Sequence, residues 1–416
     1  MRREDVNMSD RAINSMPAGV TDVLLDDAQL KSHIEVSLRE VFQGWGYAEV
    51  ITPMFECYEV LLAGGIDPEW MYKFSDPGGG ILALRPDLTT PIARVVATRL
   101  REAPKPLRLF YVENVFRRPE PKRGKRAEFP QAGIELVGST QPAADAEVVA
   151  TAIEALQRLG IDDFQLNLGQ IGFFQGVIED APLSESEITV IKERLDRRDR
   201  EELTRFVEGR NLPEDKQRLI LEMLTLCGGE EVIERASTLA DNETSEAALE
   251  NLAEIYRILG DYRLVDRVAI DLAEVRGFGY YTGLMFEGFS RSLGSSILKG
   301  GRYDDLIAKF GYPCPAVGCA FDIDRIRTIV QKEKLPALPG VDTLVRFSRE
   351  RRGEAYELAK MLRAQGKRVE IEVVDRREEE ALAYARQKGM AELIVLEEGG
   401  KRIVPLKTSD TKDQQR

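Results

Sequence analysis

The side chains with most chemical reach in this sequence are polar groups set into apolar, strand-like runs. Asp87 follows LALRP, and Gln131 and Glu135 stand four apart in PQAGIELVG. That even spacing puts both on one face of a strand. Arg117 ends LRLFYVENVFR, Arg276, Tyr280 and Tyr281 come from VRGFGYYTG, and Tyr303 comes from GGRYDDL. If these converge, the cavity offers two carboxylates, an amide, several phenols and guanidinium groups. Such a set suits a zwitterion with a polar side chain. A carboxylate faces the ammonium and an arginine faces the carboxylate, as charge-assisted pairs. A glutamate and a tyrosine could hold the two nitrogens of an imidazole. A plainer reading also fits, in which strand-end polar groups are surface and strand tyrosines are packing.

Composition narrows the chemistry further. The 416 residues contain one histidine, His33, inside an apolar-periodic helical stretch. This removes a histidine-built metal site and leaves little room for a Ser-His-Asp triad. Cys57, Cys227, Cys314 and Cys319 lack metal-ligand or disulfide spacing, so the expectation is a reduced cytoplasmic protein without metal or cofactor. A net charge of -13 argues against nucleic acid as the main partner. The opening MRREDVNMSD lacks the apolar core of a signal peptide, and no apolar run reaches the ~20 residues needed to cross a bilayer.

These residues need elements to position them. A helix with Leu30, Ile34, Leu38, Val41 and Phe42 on one face is expected after Asp26 or Asp27, either of which can cap it. YAEVITPMF has strand composition, interrupted at Pro53. ILALRPDLT and LRLFYVENVFR are further strands, and PQAGIELVG returns as the second arm of a long hairpin whose tip carries Gly124. A helix follows at about 143–159, then a charged helical stretch. VAIDLAEV and YYTGLMFEGFS read as strands, followed by the glycine-rich ILKGGRYDDLIAKFG and by AVGCAFDIDRIRTIVQ as strand into helix. KEKLPALPG reads as a linker on its prolines. Beyond it, strand and helix patterns alternate as in a small α/β domain with a mostly parallel sheet. KTSDTKDQQR is expected to be disordered.

The ordered motifs GVTDVLL, LRPDLT, the Phe116–Gly138 hairpin, RGFGYYTG, GGRYDDL and GCAFDIDR resemble those of the histidyl-tRNA synthetase family, from about Gly19 to Gln331. The resemblance implies an α+β fold, with a class II aminoacyl-tRNA synthetase-like core built on an antiparallel sheet flanked by helices. It implies core segments at 1–174 and 263–335, a helical insertion at 175–262, and a shortened anticodon-binding-like α/β domain at 341–408. Matched residue by residue, it implies a histidine pocket. Asp87, where the family has glutamate, and Thr89 would hold the ammonium, with Gln131 on the amino-acid backbone. Glu135 and Tyr281 would read the imidazole, with Tyr303 and Tyr280 beside them and Arg276 and Arg117 toward the carboxylate and phosphate.

The nucleotide side departs from that pattern. Pro119 replaces a glutamate, Ala127 an arginine, Asp322 a glycine ahead of Arg325, and Gly279 an aspartate. A carboxylate at Asp322 would repel a triphosphate and fill space a glycine leaves open. A site that binds an amino acid without activating it resembles the regulatory branch of this family. That branch implies a short-form ATP phosphoribosyltransferase catalytic subunit as partner, L-histidine as regulatory ligand, and no catalysis by this chain. It also implies a homodimer or larger assembly within a hetero-oligomer, formed through about Ala28–Phe55, and no nucleic acid or membrane. The alternatives are an active histidyl-tRNA synthetase and a synthetase-like amino-acid-binding module of another enzyme. Nothing in the chain resembles a phosphoribosyl pyrophosphate loop; FDIDRIRT comes nearest, without the glycine-rich turn.

Overall fold

A computed structural model describes residues 15–118, 126–210, 212–275, 279–330 and 340–406. The chain divides into two units, Met1–Leu335 and Pro336–Arg416. The first contains strands β1 (Ala48–Glu49), β2 (Phe55–Cys57), β3 (Lys73–Ser75), β4 (Ile81–Leu84), β5 (Leu107–Phe116), β6 (Glu128–Val137), β7 (Phe164–Gln170), β8 (Cys227–Gly228), β9 (Val268–Asp271), β10 (Leu284–Ser290), β11 (Ser296–Arg302) and β12 (Ala316–Asp322). Among the described residues nine of these make one sheet, in the order β1-β5-β6-β12-β11-β10-β7-β9-β8, and β2-β4-β3 make a second, small one. From β5 across to β7 every neighbouring pair is antiparallel. The expected α+β core on an antiparallel sheet is therefore the observed one.

Period-two alternation gives the large sheet two different faces. Ile134 and Leu136 of β6 point to one side, beside Phe110 of β5 and Phe321 of β12, and two helices cover them. Helix Leu25–Gly44 buries Leu30, Ile34, Leu38 and Phe42, and helix Pro142–Arg158 buries Val149, Ile153 and Leu156. Phe42 meets the rings of Phe110 and Phe321 at 5.7 and 5.9 Å. The other face carries Gln131, Gly133 and Glu135. Asp26 and Asp27 do not cap the first helix. They lie inside its first turn, where carboxylates favour the helix dipole.

Three stretches depart from the sequence reading. YAEVITPMF is two short strands in different sheets: β1 pairs parallel with β5, and β2 pairs antiparallel with β4. Pro53 lacks an N–H, and the carbonyls of Thr52 and Pro53 accept from Arg85 instead of a strand neighbour. Tyr280 and Tyr281 lie ahead of β10, outside any strand. The glycine-rich ILKGGR is itself the strand β11. A Cβ on Gly300 would stand 2.3 Å from the Phe286 ring, and one on Gly301 would stand 2.7 Å from Tyr281. The glycines are there for close approach, not for a turn.

Between Glu185 and Asp261 the described residues are mainly helical, with Ile191, Leu195, Leu203, Val207 and Ile220 buried, but the expected helical insertion also supplies β8, which pairs with β9 at the end of the large sheet. Its last helix, Glu243–Asp261, packs on helix Pro142–Arg158. The second unit has strands β13 (Thr343–Phe347), β14 (Val369–Ile371), β15 (Glu392–Glu397) and β16 (Gly400–Pro405), in the order β14-β13-β15-β16. The first three are parallel, as the pattern predicts; β16 adds an antiparallel edge that the reading omits. The tip glycine Gly124 and the tail from Lys407 lie outside the described residues.

Gly300→Ala is expected to destabilise the protein by about 1–3 kcal/mol, because the ring of Phe286 and the side chain of Cys319 must move. Gly294→Ala, with nothing near its Cβ, should stay within about 0.5 kcal/mol of wild type. Thermal denaturation of both variants checks this; equal melting temperatures would contradict the packing argument.

Candidate functional site

Glu135 projects from β6 at the point where its neighbour on β12 is Gly318. A Cβ on Gly318 would lie 1.7 Å from the Glu135 carboxylate, so only glycine leaves room for it. Glu135 is 1% exposed. It accepts a hydrogen bond from the Thr89 hydroxyl at 2.9 Å and another from the Tyr303 hydroxyl. Burial nevertheless pushes its carboxyl up to about 8, against those two bonds and with the charge of Asp87 adding to the rise.

The walls come from three other elements. Asp87 and Thr89 stand where β4 gives way to helix Thr89–Arg99. Asp87 accepts from the backbone N–H and the hydroxyl of Thr90, both at 3.3 Å. Burial raises its carboxyl to about 6, opposed by the charge of Arg117. Arg117 donates to the Pro86 carbonyl at 2.7 Å and lies over the rings of Phe129 and Trp70. Tyr280 packs edge-on against Tyr281 and Tyr303, with centroids 5.1 and 5.8 Å away. Gln131 Oε1 is buried and has no hydrogen-bond partner among the described residues. An orphaned acceptor in a polar cavity is a place for a ligand donor.

Asp87, Thr89, Arg117, Gln131, Glu135, Tyr280, Tyr281 and Tyr303 all line one cavity of about 460 Å³. Arg276, the remaining residue of the expected set, lies outside the described residues. Sequence reasoning missed two arginines behind the walls. Arg302 donates to both carboxylate oxygens of the fully buried Asp145, at 3.0 and 2.9 Å, and to the Ser139 carbonyl, fixing the chain just ahead of Tyr303. Arg85 does the same for the Asp87 loop. Their positions inside GGRYDDL and LRPDLT were the available signal, since a charged residue inside a tight motif has a specific partner more often than a free surface.

At its other end the cavity is lined by Arg118, Arg126, Asp322, Asp324 and Arg325. Each carboxylate there holds an arginine of the same chain. Asp322 caps helix Ile323–Ile329 through the Arg325 N–H and meets the Arg325 guanidinium at 3.0 Å. Arg325 also donates to the Ser296 carbonyl at 2.5 Å. Arg126 pairs with Asp324. Ala127 is buried; its N–H donates to the Gly19 carbonyl at 2.6 Å, and Gly19 packs so closely that a Cβ there would lie 2.9 Å from that of Ala127. A long cationic side chain at 127 has no such room. Asp322 thus does more than repel: it occupies the arginine beside it. Pro119 lies outside the described residues.

The family model for histidyl-tRNA synthetase matches residues 19–326. A protein of Acetivibrio thermocellus named ATP phosphoribosyltransferase regulatory subunit is 42% identical over 381 residues, covering 91% of this chain and 91% of its own. One of the same name from Desulforamulus reducens is 37% identical, covering 95% and 98%. Among solved structures, an ATP phosphoribosyltransferase regulatory subunit/histidyl-tRNA synthetase from Bacillus halodurans C is similar with a TM-score of 0.84 and 33% identity, over 92% of this chain and 98% of that one. A histidyl-tRNA synthetase from Nostoc shares the fold, with a TM-score of 0.77 at 23% identity over 94% and 97%.

The raised carboxyl of Glu135 has a consequence for stability. Between its ordinary value near 4.5 and about 8 the native state keeps a proton that the unfolded chain has released. Linkage then makes this group's contribution fall as pH rises through that window. Glu135→Gln removes the titration, so without ligand the variant should gain in melting temperature over wild type from pH 5 to pH 9. Melting curves at pH 5, 7 and 9 test this; a difference that stays constant or reverses would contradict burial of an ionisable Glu135.

Proposed function

The chain belongs to the ATP phosphoribosyltransferase regulatory subunits, a non-catalytic branch of the histidyl-tRNA synthetase family, and on that premise we propose that its cavity binds free L-histidine as a feedback signal. The protein serves histidine biosynthesis, and the phosphoribosyl transfer belongs to its catalytic partner. One observation carries the ligand assignment. A buried carboxylate lines a cavity that also offers a second carboxylate, an orphaned amide oxygen and a half-buried arginine. In this reading Asp87 and Gln131 take the ammonium, Arg117 and Arg276 lie toward the carboxylate, and Glu135 with Tyr281 takes the imidazole. Two of the three arginines at the nucleotide end, Arg325 and Arg126, are engaged by Asp322 and Asp324, which supports binding without activation. Adenylation needs cations free to stabilise a developing phosphate charge.

The partner is a short-form catalytic subunit in this reading, and both chains work in the cytoplasm. No helix among the described residues is long and apolar enough to cross a membrane. A second copy of the chain covers the outer face of the small sheet. Ile51 is 73% exposed and Phe55 53% exposed, with Met54 and Phe74 also exposed beside them. Phe55 and Phe74 already meet edge to face at 6.0 Å. Large exposed apolar side chains clustered in this way mark an interaction surface. Phe55→Asp is expected to turn a dimer into a monomer in sedimentation while histidine binding persists. A wild-type chain that sediments as a monomer at micromolar concentration would contradict this.

Proton bookkeeping predicts how histidine affinity follows pH. Free imidazole titrates near 6.5, and Glu135 near 8. Between about 6.5 and 8 a neutral imidazole meets a protonated carboxyl, so the pair holds the one proton it shares. Above that range the proton must be taken up from water; below it a surplus proton must leave. Asp87, which titrates near 6, also loses its charge on the acid side. Calorimetric affinity should therefore peak between about pH 6.5 and 8 and fall on both sides, and Glu135→Ala should cost about 1.5–3 kcal/mol at the peak. Affinity that climbs steadily through pH 9 would contradict the pairing of Glu135 with an imidazole.

A further inference from the structure

Arg85 is the largest fully buried side chain of the chain's described part, at 1% exposure. Its guanidinium reaches two separate pieces of structure. Toward the segment between β1 and β2 it donates to the carbonyls of Thr52 at 2.6 Å and Pro53 at 3.3 Å. Toward the hairpin it donates to the Asn114 carbonyl at 2.9 Å and to Glu113 at 2.7 Å. Its own backbone repeats the pattern: the Arg85 N–H donates to Met54, and the Arg85 carbonyl accepts from Phe116. One residue on, the Pro86 carbonyl accepts from Arg117. Asp87 and Thr89 of the cavity follow directly.

We propose that Arg85 is a positioning residue that couples the cavity to the apolar outer face of the small sheet. The proposal rests on reading the cavity as a histidine site and that face as the contact with a second copy. Thr52, Pro53 and Met54, whose carbonyls are held at Arg85, lie between the exposed side chains of Ile51 and Phe55. A shift of Asp87 on ligand binding moves Pro86 and Arg85. The guanidinium cannot stay behind without leaving buried donors unpaired, so the Thr52–Met54 carbonyls follow it. The planar fork spans both pieces at once, which an ammonium cannot do.

The experiment combines calorimetry with sedimentation on the full chain, for wild type, Arg85→Lys and Glu113→Gln. Glu113 lies outside the cavity lining and keeps a hydrogen-bonding group after substitution, so this variant decides the matter if Arg85→Lys does not fold. Saturating histidine is expected to change the dimer dissociation constant of wild type by roughly fivefold or more. Arg85→Lys should lower histidine affinity by roughly tenfold and abolish the effect of histidine on dimerisation. Glu113→Gln should weaken that effect in the same direction. A wild-type chain that gives no heat with histidine overturns the ligand reading and the coupling together. Variants that melt earlier but keep wild-type affinity and a wild-type response of dimerisation overturn the coupling alone, leaving Arg85 a structural residue.

Discussion

Glu135 needs room, hydrogen bonds and a counter-charge, and the fold around it supplies the first two. Room comes from Gly318 on the adjacent strand. The hydrogen bonds come from Thr89, carried by the chain leaving the small sheet, and from Tyr303, carried by the chain leaving β11. Tyr303 is held in turn by the ion pair of Arg302 with Asp145, and the Thr89 loop by Arg85. Removing one partner of a pair as buried as Arg302 and Asp145 costs roughly 3–5 kcal/mol, so these supports are not free to drift. Burial, with no counter-charge among the described residues, keeps the carboxyl protonated near neutrality and gives a cationic or proton-accepting ligand its advantage.

The same scaffold explains how a synthetase fold serves regulation. At one end of the cavity, polar groups remain open to a ligand. At the other, Asp322 and Asp324 hold Arg325 and Arg126, and the Gly19 backbone packs over Ala127. Few positions are needed, because an arginine satisfied inside the chain is withdrawn from phosphate whether or not it remains in the sequence. Counting the cations still present in the sequence would overstate the nucleotide site; their partners decide.

Much of this was legible in the sequence where side-chain period and composition speak directly. The β5–β6 hairpin, the common face of Gln131 and Glu135, the apolar stripe of the first helix and the parallel start of the second unit follow from alternation and helical spacing. Other features were not legible, because they depend on what stands opposite. β11 hides behind Gly300 and Gly301, whose lack of a side chain counts against a strand until Phe286 and Tyr281 are in place. The split of YAEVITPMF depends on Arg85, more than thirty positions away. Arg85 and Arg302 are marked only by their places inside LRPDLT and GGRYDDL, and nothing local says what each one holds. Asp322 was legible as a departure, but its grip on Arg325 required the helix it caps.

The central claim is that histidine held at Glu135 regulates a reaction performed by another chain. Coupling of this kind is reciprocal at equilibrium. Histidine should therefore be titrated into the assembled complex with its catalytic partner, by calorimetry, with and without the partner's substrates bound. The account predicts that substrates weaken histidine binding by the same factor by which histidine weakens theirs, and that Glu135→Ala removes both effects. An unchanged histidine affinity, in a complex whose substrate affinities do respond to histidine, would contradict it.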